Sequence, residues 1–240
     1  MAVDYLAYQG TFYMYNHNHK PVLSRNKSIH VTDEVYNTAI SSLGVVLSLF
    51  GAAFLINRSL AEPDIWPTIG FSIYSVGLIA MFSTSALHHG VNGSERVNHA
   101  LRQLDYFAIF IMIAGSYTPF CLVYVRNSLG WSVFGVVWFL ALGGIALKAA
   151  YPSISKHITL GIYLVMGWLI VLIAQPVLEV IPWQGVLALA LGGFFFSVGG
   201  LIYIFEKPNP FPGKFGFHEI WHCFVLAGAG SHFYVMYYCF

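Results

Sequence analysis

The chain has 240 residues, of which 58% are hydrophobic and only 9% are charged. Soluble proteins carry charged side chains at about a quarter of their positions, and so few charges cannot cover a surface that faces water. This composition excludes an ordinary soluble enzyme, a disordered chain and a disulfide-rich fold. The near balance of 11 Lys and Arg against 10 Asp and Glu provides no basic surface for nucleic acid, so we expect no nucleic-acid partner. The sequence predicts an integral membrane protein.

Uncharged intervals divide most of the chain into apolar segments. The intervals without Asp, Glu, Lys or Arg are 35–57, 65–94, 106–125, 127–147, 157–178, 180–205 and 220–240. Each has at least 20 residues, the length with which an α-helix crosses about 30 Å of hydrocarbon. Helices satisfy their own backbone hydrogen bonds in lipid, and the segments lack the alternation of a membrane strand. We therefore predict an all-α, seven-transmembrane-helix bundle over residues 35–240, preceded by a tail over residues 1–34.

Prolines mark several helix ends and connections in chain order. Pro63 and Pro67 flank the start of the second helix. Pro119 and Pro176 are expected to end or kink the third and fifth helices, because proline removes a backbone donor. Residues 207–213 contain three prolines and are predicted to form the loop before the last helix.

The distribution of Lys and Arg predicts the orientation. With seven spans, the tail and the loops after the second, fourth and sixth helices share one side of the membrane. That side carries Lys20, Arg25, Lys27, Arg96, Arg102, Lys148, Lys156, Lys207 and Lys214. The other side carries only Arg58 and Arg126. Because cytoplasmic loops are enriched in Lys and Arg, we expect a cell-membrane protein with its N-terminus in the cytoplasm and its C-terminus outside.

Four ionisable residues lie at predicted helix ends. His89 closes the second helix, Asp105 opens the third, and His218 and His222 open the seventh. Because successive spans alternate in direction, these ends share one depth near the cytoplasmic boundary. Ionisable groups at membrane depth are costly and commonly mark a functional site.

The spacing of these residues is typical of a metal site. His218 and His222 are four residues apart, so they share one helical face. With His89 from another helix they would supply three nitrogen ligands and leave the fourth tetrahedral position to water, as in catalytic zinc sites. Asp105 would hold or deprotonate that water, or orient a ligand imidazole. Ser85, one helical turn before His89, would hydrogen-bond to the site.

Other interpretations of the same residues stay open. In one interpretation the histidines are hydrogen-bonded structural residues of the bundle, which is the commoner role of a single interfacial histidine. The segment His218–His222 also fits H-E-x-x-H, in which Glu219 would be the general base of an intramembrane metalloprotease. Against the protease, this motif opens the last helix and leaves no downstream chain for the usual further ligand.

Further histidines and the cysteines have other expected roles. His88 is expected to point about 100° away from its neighbour on the helix, so that only one of the two faces the site well. His232 lies ten residues beyond His222, about 15 Å further along the helix, and is expected to form hydrogen bonds within the bundle. Cys121, Cys223 and Cys239 lie in apolar stretches and are expected to be small buried packing residues.

These motifs together resemble the hemolysin III branch of the progestin and adipoQ receptor (PAQR) superfamily. The resemblance runs from about residue 34 to residue 232 and rests on Ser85–His89, Leu104–Pro119 and His218–His222. It implies that three histidines hold a zinc ion near the cytoplasmic face, with an aspartate and a serine close by. In this sequence these residues are His89, His218, His222, Asp105 and Ser85.

The sequence departs from the pattern of this family around the site. His88 stands at a position that is often aromatic, and Tyr106 follows the aspartate where many bacterial relatives have histidine. Ser41 and Ser42 stand where relatives often have Thr-His, although Asn37 is kept. These departures affect the surroundings of the site rather than its ligands.

The resemblance implies two different activities. One is zinc-dependent hydrolysis of a lipid amide such as ceramide, and the other is the cytolysis for which the bacterial branch is named. We predict a zinc-binding membrane protein that hydrolyses or senses a membrane lipid at the three-histidine site. A cytolytic or pore-forming protein, and a zinc-stapled receptor or sensor without catalysis, are the alternatives. The sequence leaves the oligomeric state open.

Overall fold

The computed structural model of the chain describes residues 4–8, 11–15, 34–91, 93–211 and 215–240. Eight α-helices follow one another in these residues: α1 Glu34–Ser59, α2 Ile65–Gly90, α3 Glu95–Pro119, α4 Ser128–Ala150, α5 Lys156–Trp168, α6 Ala174–Val180, α7 Trp183–Phe205 and α8 Phe217–Tyr238. A π-helical turn, Phe120–Tyr124, extends α3, and a 3₁₀ turn, Leu169–Ile173, joins α5 to α6. The stretch Lys156–Val180, from α5 to α6, is long and apolar enough to be one span.

The N-terminal tail contains two short strands that the sequence analysis does not predict. Strand β1, Asp4–Tyr8, pairs antiparallel with β2, Thr11–Tyr15, in a hairpin. The rest of the tail, with its three predicted cytoplasmic cations, lies outside the described residues, and so does Lys214. The division into a tail over residues 1–34 and a membrane domain over residues 35–240 stays a prediction.

Six of the helical stretches are long and apolar enough to cross a membrane. They are α1, α2, α3 with its π turn, α4, the α5–α6 stretch and α7. Helix α8 is not one of the six, because three histidines and Glu219 interrupt its apolar sequence. The helical fold class is thus confirmed for six spans.

The helices close into a ring. Helix α1 packs against α2 and α8, α3 packs against α2, α4 and α5, and α7 packs against α5 and α8. Helix α8 therefore lies between the first helix and α7. This closure brings the start of α8 to the end of α2, although more than 120 residues separate them in sequence.

The two internal prolines disturb their helices as predicted. The π turn starts directly after Pro119. In the fifth span, regular α-helix gives way to the 3₁₀ turn just ahead of Pro176. Proline has no backbone N–H to donate to the carbonyl four residues earlier, and its ring crowds the preceding turn, so a change of helical geometry next to each proline is expected.

Small residues bring α2 and α3 close together. A Cβ atom at Gly77 would lie 3.2 Å from the Met112 Cα atom, and one at Gly115 would lie 3.3 Å from the Ile73 carbonyl oxygen. The two backbones can approach this closely only because these positions lack side chains. The approach holds the C-terminal end of α2, which carries His89, beside the first half of α3, which carries Asp105.

We expect Gly77→Val to destabilise the protein by about 1–3 kcal/mol, because the added side chain forces α2 and α3 apart. Gly143→Val is the matched control: it has the same helical propensity cost, but no atom lies within 4 Å of a Cβ placed there. Thermal unfolding in detergent micelles measures both variants. Equal melting temperatures would contradict the importance of this contact.

Candidate metal centre

Three histidines converge at one end of the bundle. His89 is the next-to-last residue of α2, whereas His218 and His222 lie in the first two turns of α8. Their side chains are buried, and their ligand nitrogens all lie within 4.8 Å of one another. The Nε2 atoms of His89 and His222 are 3.1 Å apart. The structure thus brings together the three residues that the sequence predicts as ligands.

The two histidines of α8 present one face to α2. Their rings stack with centroids 5.0 Å apart and an interplanar angle of 19°. The His89 ring meets both edge-on, at 5.0 Å from His218 and 4.9 Å from His222. The spacing of four residues on a helix accounts for the stacking. The closure of the helix bundle brings the His89 imidazole to these two side chains.

Glu219 stabilises the start of α8. Its Oε2 atom accepts a hydrogen bond from the Gly216 backbone N–H, 2.7 Å away, in a capping arrangement. The residue is completely buried, and such caps satisfy the donors that a helix start leaves unpaired. This geometry gives the carboxylate a structural task in place of the general-base role that the H-E-x-x-H interpretation assigns to it.

Polar side chains tie α1 to α2 beside the centre. The Ser85 and Ser41 hydroxyl groups are 2.9 Å apart and share a buried hydrogen bond. Asn37, one turn before Ser41, is completely buried, and its side-chain amide has no hydrogen-bond partner among the described residues. The predicted catalytic residue Ser85 therefore contacts the first helix, one turn from His89.

Asp105 joins a second cluster rather than the first. Its carboxylate lies with the ring nitrogens of His88 and His89 in a group whose ligand atoms are within 4.8 Å of one another. The expectation that only one of the two neighbouring histidines faces the three-histidine site agrees with the structure, because His89 belongs to that cluster and His88 does not. The angular separation of about 100° between neighbouring residues turns His88 away from α8, but the close packing of α3 places Asp105 where that ring points.

A cavity of about 400 Å³ lies beside both clusters. Its lining includes the three clustered histidines, His88, Asp105 and Ser85 at one end, and largely apolar side chains from α3, α5, α6 and α7 elsewhere. Asp105 is its one acidic residue within the described parts of the chain, and Arg102 and Lys156 add positive charge. The cavity is thus apolar with a polar end, a form typical of sites for small amphipathic molecules.

His232 lies inside the bundle with a hydrogen bond to the backbone of Leu189, as expected, whereas Cys223 differs from its prediction. His232 also lines the cavity, and its ring packs edge-on against Phe196 and closely over Gly192 of α7. Cys223 is exposed rather than buried, because its place next to His222 turns it about 100° away, toward the outside of the bundle. Cys121 is buried as expected.

Comparison with known sequences establishes the family. The sequence model of the family described as "Haemolysin-III related" matches residues 29–233. The chain belongs to this family. It is 34% identical over 210 residues to the hemolysin-3 homolog of Bacillus subtilis (strain 168), covering 87% of this chain and 95% of that protein. It is 32% identical over 204 residues to hemolysin-3 of Bacillus cereus, covering 85% and 90%.

The family extends to animal proteins. This haemolysin-III-related chain is 29% identical over 196 residues to the human monocyte to macrophage differentiation factor, covering 80% of this chain and 78% of the human protein. These matches confirm the resemblance to the hemolysin III branch and the PAQR superfamily. The family match over residues 29–233 includes all residues of both histidine clusters.

The donor set of the three-histidine cluster fits a zinc ion. Two imidazole nitrogens at zinc–nitrogen distances of about 2.0–2.1 Å and a tetrahedral angle lie about 3.3 Å apart, close to the 3.1 Å between the Nε2 atoms of His89 and His222. Imidazole is a common ligand of zinc and of several other transition metals. The cluster can therefore hold such an ion, whose identity the ligands alone do not determine.

We expect Glu219→Ala to lower the free energy of unfolding by about 1 kcal/mol, because it removes the cap of α8. Glu219→Gln keeps an oxygen acceptor for the Gly216 N–H, so its melting temperature should lie closer to that of the unmodified protein. Thermal unfolding of both variants in detergent tests this ranking. A stable Glu219→Ala variant would remove the capping role and revive the protease interpretation.

Proposed function

We propose that this protein uses a zinc ion on His89, His218 and His222 to hydrolyse an amide bond of a membrane lipid of the ceramide type. The observation that carries the proposal is the position of three buried imidazoles at the polar end of an otherwise apolar cavity. A lipid likewise has a polar head and an apolar tail, which match the polar end and the apolar remainder of the cavity. Membership of the haemolysin-III-related family supports this proposal.

The geometry of the cavity supports access from the bilayer. Trp168, Val171 and Leu178 line it, yet each is more than half exposed. The wall formed by α5 and α6 therefore faces both the cavity and the surroundings of the bundle. A lipid tail could enter sideways through this wall while its head reaches the histidines, without leaving an apolar environment.

Zinc bound at a three-histidine site lowers the pKa of a bound water toward 7 and polarises a carbonyl group. Around it, we assign Asp105 the task of orienting the attacking water and accepting its proton. Ser85 would help to hold α2 against α1, and so keep the His89 ring in place. Arg102 would stabilise polar groups of the lipid head at the same end of the cavity, whereas Lys156 is already paired with Glu206.

We further propose that α8 is the seventh membrane span. Its 22 residues correspond to about 33 Å of helix, which is enough for the hydrocarbon core. It packs between α1 and α7, so its histidines would face the bundle rather than lipid. Seven spans, together with the asymmetry of Lys and Arg, support a cytoplasmic N-terminus and an external C-terminus in the cell membrane.

A fluorescent-protein or phosphatase reporter fused after Phe240 tests this topology. Alkaline phosphatase folds only outside the cytoplasm, where its disulfides form, so we expect an active phosphatase fusion at the C-terminus. A fusion to the N-terminus should be inactive. Normally expressed but inactive fusions at both termini would mean that α8 does not cross the membrane, whereas activity at the N-terminus alone would mean the reversed orientation.

Two other functions have support from specific observations. An ion on this centre would join α2 to α8, far apart in sequence, as in a zinc-stapled receptor or sensor without catalysis. The bacterial relatives bear the name hemolysin, which supports a cytolytic or pore-forming protein. Dye release from liposomes that contain the purified protein tests the lytic alternative directly.

The hydrolase proposal predicts different defects for ligand and base variants. We expect the detergent-purified protein to contain about one zinc per chain and to cleave a fluorescent short-chain ceramide. His222→Ala should lose both the metal and the activity. Asp105→Asn should keep the metal while its turnover falls by roughly 10²–10⁴-fold, the contribution typical of a general base. His99→Ala, at an exposed histidine, is the matched control.

Metal analysis and the ceramide assay on the same preparations separate the alternatives. Zinc without turnover in the unmodified protein, together with a lower melting temperature of His222→Ala, would favour the stapled sensor. A folded protein without metal would overturn the proposal. Full activity of Asp105→Asn would remove the assigned role of that carboxylate.

A further inference from the structure

The second cluster, His88, His89 and Asp105, has the composition of a metal site of its own. It offers two imidazole nitrogens and a carboxylate oxygen, all within 4.8 Å of one another. The His88 and His89 ring centroids are 4.7 Å apart. Two imidazoles and one carboxylate occur together in zinc sites of proteins. We call this cluster the outer position and the three-histidine cluster the inner position.

The two positions differ in their accessibility. The side chains of His89, His218 and His222 are exposed by 3%, 9% and 8%, respectively. His88 and Asp105 are partly exposed, and all five side chains line the cavity. An ion that reaches the buried inner position needs an entry path, and these two are the more exposed of the five side chains.

The two positions also differ in charge. The inner position contains only imidazoles, which bind metal in their neutral form. The outer position contains Asp105, the one acidic side chain of the cavity lining in the described part of the chain. A dication in a low-dielectric site is attracted more strongly by a carboxylate than by neutral rings. The outer position is therefore suited to capturing the ion, and the inner position to holding it away from water.

His89 is shared by the two positions. A neutral imidazole has one nitrogen lone pair, so it can bind one ion at a time. An ion that moves inward would stay beside His89. Its other ligands would change from Asp105 and His88 to His218 and His222. Both clusters lie at the same end of the cavity, so the exchange requires no opening of the bundle.

We propose that His88 and Asp105, with His89, form a loading site through which a divalent transition-metal ion such as Zn²⁺ reaches the inner position. The proposal rests on the metal centre proposed above. It assigns His88 a role in the rate of metal uptake. The final stoichiometry is one ion per chain, because the shared imidazole makes the two positions mutually exclusive.

The test is the rate at which metal-free protein in detergent takes up Zn²⁺ from a weak fluorescent zinc indicator after rapid mixing. We expect His88→Gln and Asp105→Asn to load roughly tenfold more slowly than the unmodified protein, at the lower end of the losses seen when a metal site loses a supporting group. Both should reach the same final zinc content. His99→Gln, which removes an exposed histidine outside both clusters, should load normally.

Each outcome bears on a different part of the proposal. Normal loading rates in both variants, with one zinc per chain, would overturn the loading site and leave the metal centre intact. A reduced final content with an unchanged rate would overturn it too, since His88 would then belong to the permanent ligand set. Two ions per chain would contradict mutually exclusive positions. No uptake by the folded, unmodified protein would instead overturn the metal centre itself.

Discussion

The hydrocarbon core of a membrane has no water to satisfy polar side chains, and the arrangement of this bundle follows from that constraint. Each polar group on a spanning helix must find a partner inside the protein or lie near a membrane boundary. The Ser41–Ser85 hydrogen bond and the His89–His222 contact are two such pairings. Both lie at one end of the ring of helices, where the last helix returns to the first two. The histidines and Asp105 of the two clusters are therefore concentrated there, whereas single buried hydroxyl groups such as Ser48, Ser75 and Thr118 lie elsewhere along the spans.

The proposed chemistry depends on the contrast between this polar end and the rest of the cavity. Most of the lining is apolar, and part of the wall faces outward, so it suits a lipid tail. The imidazoles and Asp105 lie where a lipid head would arrive. A polar site next to an apolar channel selects an amphipathic substrate through burial of the tail, whereas the metal ligands determine which bond reacts. The inner and outer positions both lie at this polar end of the cavity. The inner position is suited to holding an ion, and the outer position is suited to admitting it.

Much of this arrangement is predictable from local patterns. The uncharged intervals predict the helical segments because a membrane span needs a minimum apolar length, and the four-residue spacing predicts that His218 and His222 share a face. Pro119 and Pro176 predict the two interruptions of helical geometry. The hairpin near the N-terminus was not predicted from composition. The angle between neighbouring residues separates His88 from the three-histidine cluster, but an angle on one helix says nothing about a neighbouring helix. Only the close approach of α3 through Gly77 and Gly115 places Asp105 beside His88.

The sequence by itself determined that the chain enters a membrane, which segments are helical, and which histidines have metal-ligand spacing. These properties depend on residues close together in the chain, where the geometry of one helix is known in advance. The tertiary structure alone decided that α8 returns between α1 and α7, that Glu219 caps its own helix, and that Asp105 lies with His88 and His89 rather than with the histidines of α8. These are contacts between helices. They depend on how side chains and glycines fit across an interface, which no single segment specifies.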